Sequence, residues 1–215
     1  MSNPARTSRG FLVVLSGPSG VGKNTVLNAV LPEVPDLHYS VSVTTRAPRP
    51  GEVHGRDYFF VTDEEFDEMI RTGRLLEWAE FVGRRYGTPR DYIERCLDEG
   101  LTVIMDIDIQ GARQIRERMK EAILVFLWPP SMQELSRRIH GRGQDSQDAI
   151  TRRLSWARQE LEAVTEYDYV IVNDDLEKAA AELRAIIIAE RCRVRRTDFR
   201  QLAAKLGTSA DELRL

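Results

Sequence analysis

Four stretches of the chain are apolar without alternation: 11–15, 101–107, 122–127 and 169–172. Strands buried on both faces of a parallel sheet have this pattern. Helical segments lie between or after them, from Val26 to Leu31, after Asp108 to about Met119, and from Leu176 to Arg196. Strand–helix alternation of this kind predicts an α/β fold with a parallel sheet between two helical layers. Between about residues 38 and 90 the pattern changes. Tyr39 to Thr45 alternates polar and β-branched residues as a short strand, and Tyr58–Val61 is another. Thr62-Asp63-Glu64-Glu65 is a capping box that opens a helix through about Arg71, with Gly73 as its stop. Leu75 to Phe81 returns as a strand, a Gly83-Arg84-Arg85 turn follows, and Pro89 starts a helix that runs to Glu99.

Short half-polar strands inside an otherwise regular alternation predict an inserted mixed α/β lobe that closes over a ligand of its own. The expected organisation is a disordered lead-in over 1–9, a core of 10–37 and 100–196, and an insert over about 38–90. A helical lid over about 138–153 and a helical tail over 197–215 complete it. The lid follows from Arg137 to Ser146, where Gly141 and Gly143 break one helix before another begins, with arginines on both sides.

Composition narrows the function. A formal charge of −3 over 215 residues argues against a general nucleic-acid binder, while locally clustered arginines suit a small phosphorylated ligand. Cys96 and Cys192 form no metal-ligand spacing, and His38, His54 and His140 are scattered. No run reaches the roughly 18 apolar residues of a membrane span, and 1–9 lacks an apolar signal core. The expectation is a soluble cytoplasmic protein with no membrane partner, monomeric or weakly homo-oligomeric.

The first apolar run leads into Gly17-Pro18-Ser19-Gly20-Val21-Gly22-Lys23-Asn24-Thr25. Strand, glycine-rich turn, lysine and helix in this order is the context of a phosphate-binding loop. The glycines let consecutive N–H groups face one concavity, where the helix N-terminus adds positive charge. Lys23 supplies a cation for the outer phosphates. The consensus closes on Ser or Thr, whose hydroxyl binds Mg²⁺; this chain has Asn24 there. In the insert, Arg46 and Arg49 flank Pro48 on a stiff loop and can face one anion, and Tyr58 and Tyr86 can donate to the same group. Four such donors suit a phosphate monoester.

The loop, the block Ser40–Glu52, Gly55–Val61, Tyr86-Gly87-Thr88, Asp106–Gly111, Gly141-Arg142-Gly143 and Val172–Asp175 together resemble guanylate kinase, in order, over roughly 10–196. The resemblance implies a phosphate-loop kinase core with an inserted nucleoside-monophosphate lobe and a lid. It also implies transfer of the γ-phosphoryl of ATP to GMP with Mg²⁺, in purine nucleotide metabolism. Arg46, Arg49, Tyr58 and Tyr86 match the family's ligands for the GMP phosphate. Ser42, Glu77, Gly87, Thr88 and Asp108 match positions around guanine and its sugar. Lys23 with Arg46, Arg138, Arg142 and Arg153 matches the cations that stabilise the transferred group, and Asn173 matches a residue near adenine. Asp106, at a strand end, is expected to reach Mg²⁺ through water, alongside Asn24. One carboxylate at Glu77 can accept from both N1–H and the exocyclic amine of guanine, which adenine cannot satisfy. Two alternatives accompany this reading: a kinase for another phosphorylated acceptor, and a non-catalytic guanylate-kinase-like module that binds phosphoproteins. Such modules usually lose the loop lysine or the lid arginines, which are present here.

Overall fold

The computed structural model describes residues 9–81, 83–140 and 147–213. In chain order the elements are β1 (Leu12–Ser16), α1 (Lys23–Val30), β2 (Leu37–Tyr39), β3 (Val43–Thr44), β4 (Phe59–Phe60), α2 (Asp63–Arg71), β5 (Leu75–Phe81), β6 (Arg84–Pro89), α3 (Arg90–Asp98) and β7 (Thr102–Asp106). They continue with α4 (Ile109–Arg118), β8 (Ile123–Trp128), α5 (Met132–His140), α6 (Gln147–Glu162), β9 (Tyr169–Val172), α7 (Leu176–Arg191), α8 (Phe199–Lys205) and α9 (Ala210–Leu213).

The main sheet is parallel, in the order β2-β7-β1-β8-β9. Its central strand shows why the sequence lacks alternation. Val13 and Leu15 pack into one core with Val26, Leu135, Leu183 and Ile187, on the side of α1, α5 and α7. Leu12 and Val14 pack into the other with Ile93, Leu97, Ala112 and Ile115, on the side of α3 and α4. Both faces of the strand are therefore apolar, and the result is the expected three-layer α/β core.

The second sheet, in the order β4-β3-β6-β5, is the mixed sheet of the insert, parallel at β3–β4 and antiparallel elsewhere. Its core is small: Val43, Phe66, Met69 and Leu75, with Phe59, Val61, Ile70 and Trp78 against them. The Thr62 capping box forms in both directions, at 3.2 Å and 2.8 Å. A register shift between Leu75 and Glu77 sets Glu77 directly opposite Thr88. Bulges of this sort re-aim a side chain.

Three expectations are corrected. The strand anticipated over 39–45 is two: β2 pairs with β7 in the main sheet, and β3 belongs to the insert. The alternation runs on unbroken while the chain changes sheets at 40–42. The last core helix ends at Arg191 rather than 196, because Arg193 adopts an extended conformation (ψ 135°). That turn lets Arg193 and Arg196 both reach the buried Glu190, at 2.9 Å and 3.5 Å. The tail holds two short helices rather than one, with Asp198 capping α8 and Ala203 fully buried. Of the lead-in expected over 1–9, residues 1–8 lie outside the described residues, and Arg9 pairs with Asp98 at 2.9 Å.

Candidate active site

The phosphate loop spans the C-terminal end of β1 and the start of α1. Its glycines meet two separate demands. Gly17 (φ 144°) passes so close to β8 that a Cβ would sit 2.4 Å from the Leu127 carbonyl. Gly22, the N-cap of α1, is left-handed (φ 103°), and a Cβ there would meet Asn173 Nδ2 at 2.7 Å. The first turn of α1 carries no acidic residue and its N-cap has no side-chain bond, so its N–H groups and dipole favour an anion. Lys23 Nζ donates to the Gly17 carbonyl at 2.7 Å and so lies across the loop. Asn24 and Thr25 are exposed in that first turn.

The loop is braced from outside. Asn173 Nδ2 donates to the Val21 carbonyl at 2.8 Å. Arg138 donates to the same carbonyl and to the Asn173 carbonyl, both at 3.1 Å, and is held by Glu134 at 2.8 Å. Two arginines thus keep Glu134 well below the usual carboxylate range, at about 2, chiefly through the hydrogen bonds from Arg137 and Arg138. A cavity of about 280 Å³ opens beside this brace, lined by Gly20, Gly22, Thr25, Arg138, Asn173 and Leu176. The structure therefore brings Arg138 and Asn173 to the loop, at its carbonyl side. Arg142 lies outside the described residues, and so does the side chain of Arg153 on α6.

In the insert, Arg46 is held by Glu52 at 2.8 Å, with both side chains under one-fifth exposed. Its guanidinium lies 5.3 Å from the Tyr58 ring centre and 5.8 Å from that of Phe60. The Tyr58 and Tyr86 rings meet edge to face at 6.2 Å. These three predicted phosphate ligands are gathered in one place. Arg49 is exposed and joins through its backbone, donating N–H to Glu52 at 2.7 Å. Glu52 was not among the expected site residues. It closes the Ser40–Glu52 block that carries the resemblance, but its pairing with Arg46 comes from the loop's return.

Two residues along β6 from Tyr86, Thr88 faces Glu77, which is 6 % exposed and accepts from the fully buried Thr88 hydroxyl at 2.5 Å. Burial pushes the Glu77 carboxyl up to about 7; the Thr88 bond and Arg118 oppose the rise, and the charge of Asp108 adds to it. Gly111 is tight against this carboxylate, with a Cβ falling 3.0 Å from Glu77 Oε2. Asp108 caps α4 through the Gly111 N–H at 2.8 Å, and Gly87 lies buried in β6 beside Glu77. Ser42 is half-buried, its carbonyl taking the Phe59 N–H. A cavity of about 480 Å³ between α4 and α6 is lined by Asp108, Gln110, Arg113, Trp156 and Glu160. Glu160 is a further residue that spacing did not single out: burial raises its carboxyl while the charge of Lys23 opposes the rise.

Asp106 closes β7 in register with Leu15 of β1, next to the start of the phosphate loop. Its Oδ1 accepts from the Tyr39 hydroxyl at 2.5 Å. Among the described residues no group of three or more His, Cys, Asp or Glu could hold a metal ion by itself. Oxygen donors at Asp106 and Asn24 do fit a hard cation that arrives with nucleotide phosphates. No helix among the described residues is long and apolar enough to cross a membrane.

Comparison with known proteins places this arrangement. Residues 9–190 match the family model described as guanylate kinase. The guanylate kinase of Desulfitobacterium hafniense (strain Y51) is 50 % identical over 192 residues, covering 89 % of this chain and 96 % of that protein. That of Bacillus anthracis is 52 % identical over 189 residues, covering 87 % and 92 %. The crystal structure of guanylate kinase from Anaplasma phagocytophilum superposes with a TM-score of 0.69 at 40 % identity, covering 88 % of this chain and 90 % of that one. A phosphate loop facing a lobe of paired arginine, tyrosine and buried carboxylate, matched along nearly the whole chain, identifies this protein as a member of the guanylate kinase family.

Proposed function

We propose that the chain carries out the guanylate kinase reaction, transfer of the γ-phosphoryl of ATP to the phosphate of GMP, with the loop holding the donor and the insert the acceptor. The observation that carries the acceptor assignment is the Thr88–Glu77 pair, a buried carboxylate that the β5–β6 register sets two residues along from Tyr86 of the Arg46–Tyr58–Tyr86 cluster. Guanine offers two adjacent donors to such a carboxylate; adenine leaves it facing a lone pair, which costs about 1–3 kcal/mol or more when buried. Ser42, Gly87 and Asp108 surround the base and sugar in this reading, and Arg49 turns its guanidinium toward the GMP phosphate.

An oxygen of that phosphate, already anionic, attacks the γ-phosphorus. The bond to the β–γ bridging oxygen breaks, and the electron pair leaves with ADP. No general base is required, so positioning and charge neutralisation carry the step. Lys23 swings from the Gly17 carbonyl to the β- and γ-phosphates and Arg46 shields the acceptor, with Arg142 and Arg153 adding positive charge as the family resemblance implies. Arg138 keeps the Val21 carbonyl out of the concavity, with Asn173 beside the adenine. Asn24 and, through water, Asp106 would hold Mg²⁺, which would supply charge neutralisation for the transfer. The cytoplasm, where both nucleotides are pooled, is the expected location.

The test is turnover with GMP, dGMP, AMP and UMP in a coupled assay of ADP release. GMP and dGMP are expected to be used and the others poorly; comparable rates on AMP would remove the guanine assignment. A phosphoprotein-binding module would show no turnover and no ATP binding. The intact loop, with Lys23 at its mouth, supports the enzyme instead.

A further inference from the structure

Tyr39 is the last residue of β2, the edge strand of the main sheet, and pairs with Ile104 of β7. Asp106 stands two residues further along β7. A long side chain at the end of a parallel neighbour can span that offset, and the Tyr39 hydroxyl donates to Asp106 Oδ1 at 2.5 Å. Among the described residues it is the side-chain donor to that carboxylate.

We propose that Tyr39 is a positioning residue for phosphoryl transfer, fixing the Asp106 carboxylate so that its second oxygen faces the metal–nucleotide. The inference rests on the reading of Asp106 as a carboxylate that meets Mg²⁺ through water. An aspartate at a strand end has two free torsions, and a short bond to one oxygen sets the direction of the other. Partners that orient a metal-linked carboxylate are a large share of a site's affinity.

The test uses the full chain with saturating ADP, titrated with Mn²⁺ and read as free Mn²⁺ by electron paramagnetic resonance. Wild type is compared with Tyr39→Phe, Asp106→Asn and the double variant. Thermal midpoints and KM for GMP are measured beside it. Tyr39→Phe is expected to weaken Mn²⁺ binding about tenfold, the low end for groups that orient a metal ligand. KM for GMP and the thermal midpoint stay near wild type. Asp106→Asn weakens binding at least as much, and the double variant no further. Wild-type Mn²⁺ affinity in Tyr39→Phe with weakened affinity in Asp106→Asn overturns the role of Tyr39 and leaves that of Asp106 intact. Wild-type affinity in Asp106→Asn overturns the Asp106 reading and the proposal with it. Losses that multiply in the double variant, or a raised KM for GMP alone, also overturn it, since Tyr39 would then act elsewhere.

Discussion

Around the phosphate loop the groups on offer to a ligand are main-chain N–H groups, whereas the inserted lobe offers side chains that already hold one another. Gly17 and Gly22 are glycine because backbone must pass where a Cβ would collide, and the helix N-terminus needs no side chain to attract an anion. The insert instead fixes Arg46 with Glu52 and stacks it near Tyr58, and it seats Glu77 on Thr88. Backbone recognition is generic for phosphate, so the donor half is shared by many nucleotide enzymes. Preset side-chain pairs, in the function proposed above, would read one base and one phosphate. Binding strength and catalysis should therefore separate from specificity when each half is damaged.

The largest effect is expected on the donor side. Lys23→Ala removes the one mobile cation of the loop proper, and turnover should fall about a hundred- to a thousand-fold, as for loss of a preorganised charge-stabilising donor. GMP binding, measured by calorimetry without ATP, should be unchanged. A GMP affinity that drops with turnover would mean the two halves are not separable. Glu77→Ala should do the converse. ATP binding persists, while the ratio of kcat/KM for GMP over AMP falls about ten- to a hundredfold, matching the loss of a buried charge-assisted pair. A variant that keeps its guanine preference would move base recognition away from β5.

That contrast also explains what could be seen in the sequence. The loop was legible because its glycines, lysine and flanking strand and helix are all local, within 11–31. The parallel core was legible because each strand is apolar on both faces. Ser40 to Ser42 hid the change of sheet, since alternation in a two-sheet strand looks the same as in one. The Tyr39–Asp106 and Arg85–Asp67 contacts were invisible for a different reason: they join residues 67 and 18 apart through strand register and loop return. Glu77 itself was found through family resemblance. What places it is a bulge at Leu75/Glu77, a backbone irregularity that no residue pattern around it announces.

The Glu77–Thr88 pair yields a pH signature that sharpens the acceptor side. Burial raises the carboxyl from 4.5 to about 7 in the free protein. Accepting from guanine requires the ionised form. Below pH 7, kcat/KM for GMP should fall about tenfold per unit. The sign for stability is opposite: the folded chain binds this proton more tightly than the unfolded one. Its contribution is full below about 4.5 and lost as pH rises through about 7. Thr88→Val deletes the bond that lowers the carboxyl, so the midpoint of the GMP profile should move upward. The phosphate of GMP itself titrates near pH 6, at about its second pKa. The comparison that counts is therefore the displacement between wild type and variant. A Thr88→Val profile that overlays the wild type would show that Thr88 packs against Glu77 without tuning it.

The smallest effect belongs to Asn24, where the donor half borrows a side chain after all. The first turn of α1 presents its N–H groups to phosphate whatever residue stands there, and an amide oxygen can bind a hard cation much as a hydroxyl does. Asn24 is exposed, so neither residue needs a buried partner in the absence of nucleotide. Asn24→Ser should therefore leave the fold and kcat at saturating metal unchanged. The Mg²⁺ concentration for half-maximal turnover should shift only about two- to threefold, well below the tenfold to hundredfold typical of losing an orienting group. Equal Mg²⁺ dependence in the two proteins would mean the cation is held by phosphates and Asp106 alone. A shift beyond tenfold would make the amide a principal ligand, and the backbone-only description of the donor half would have to give way.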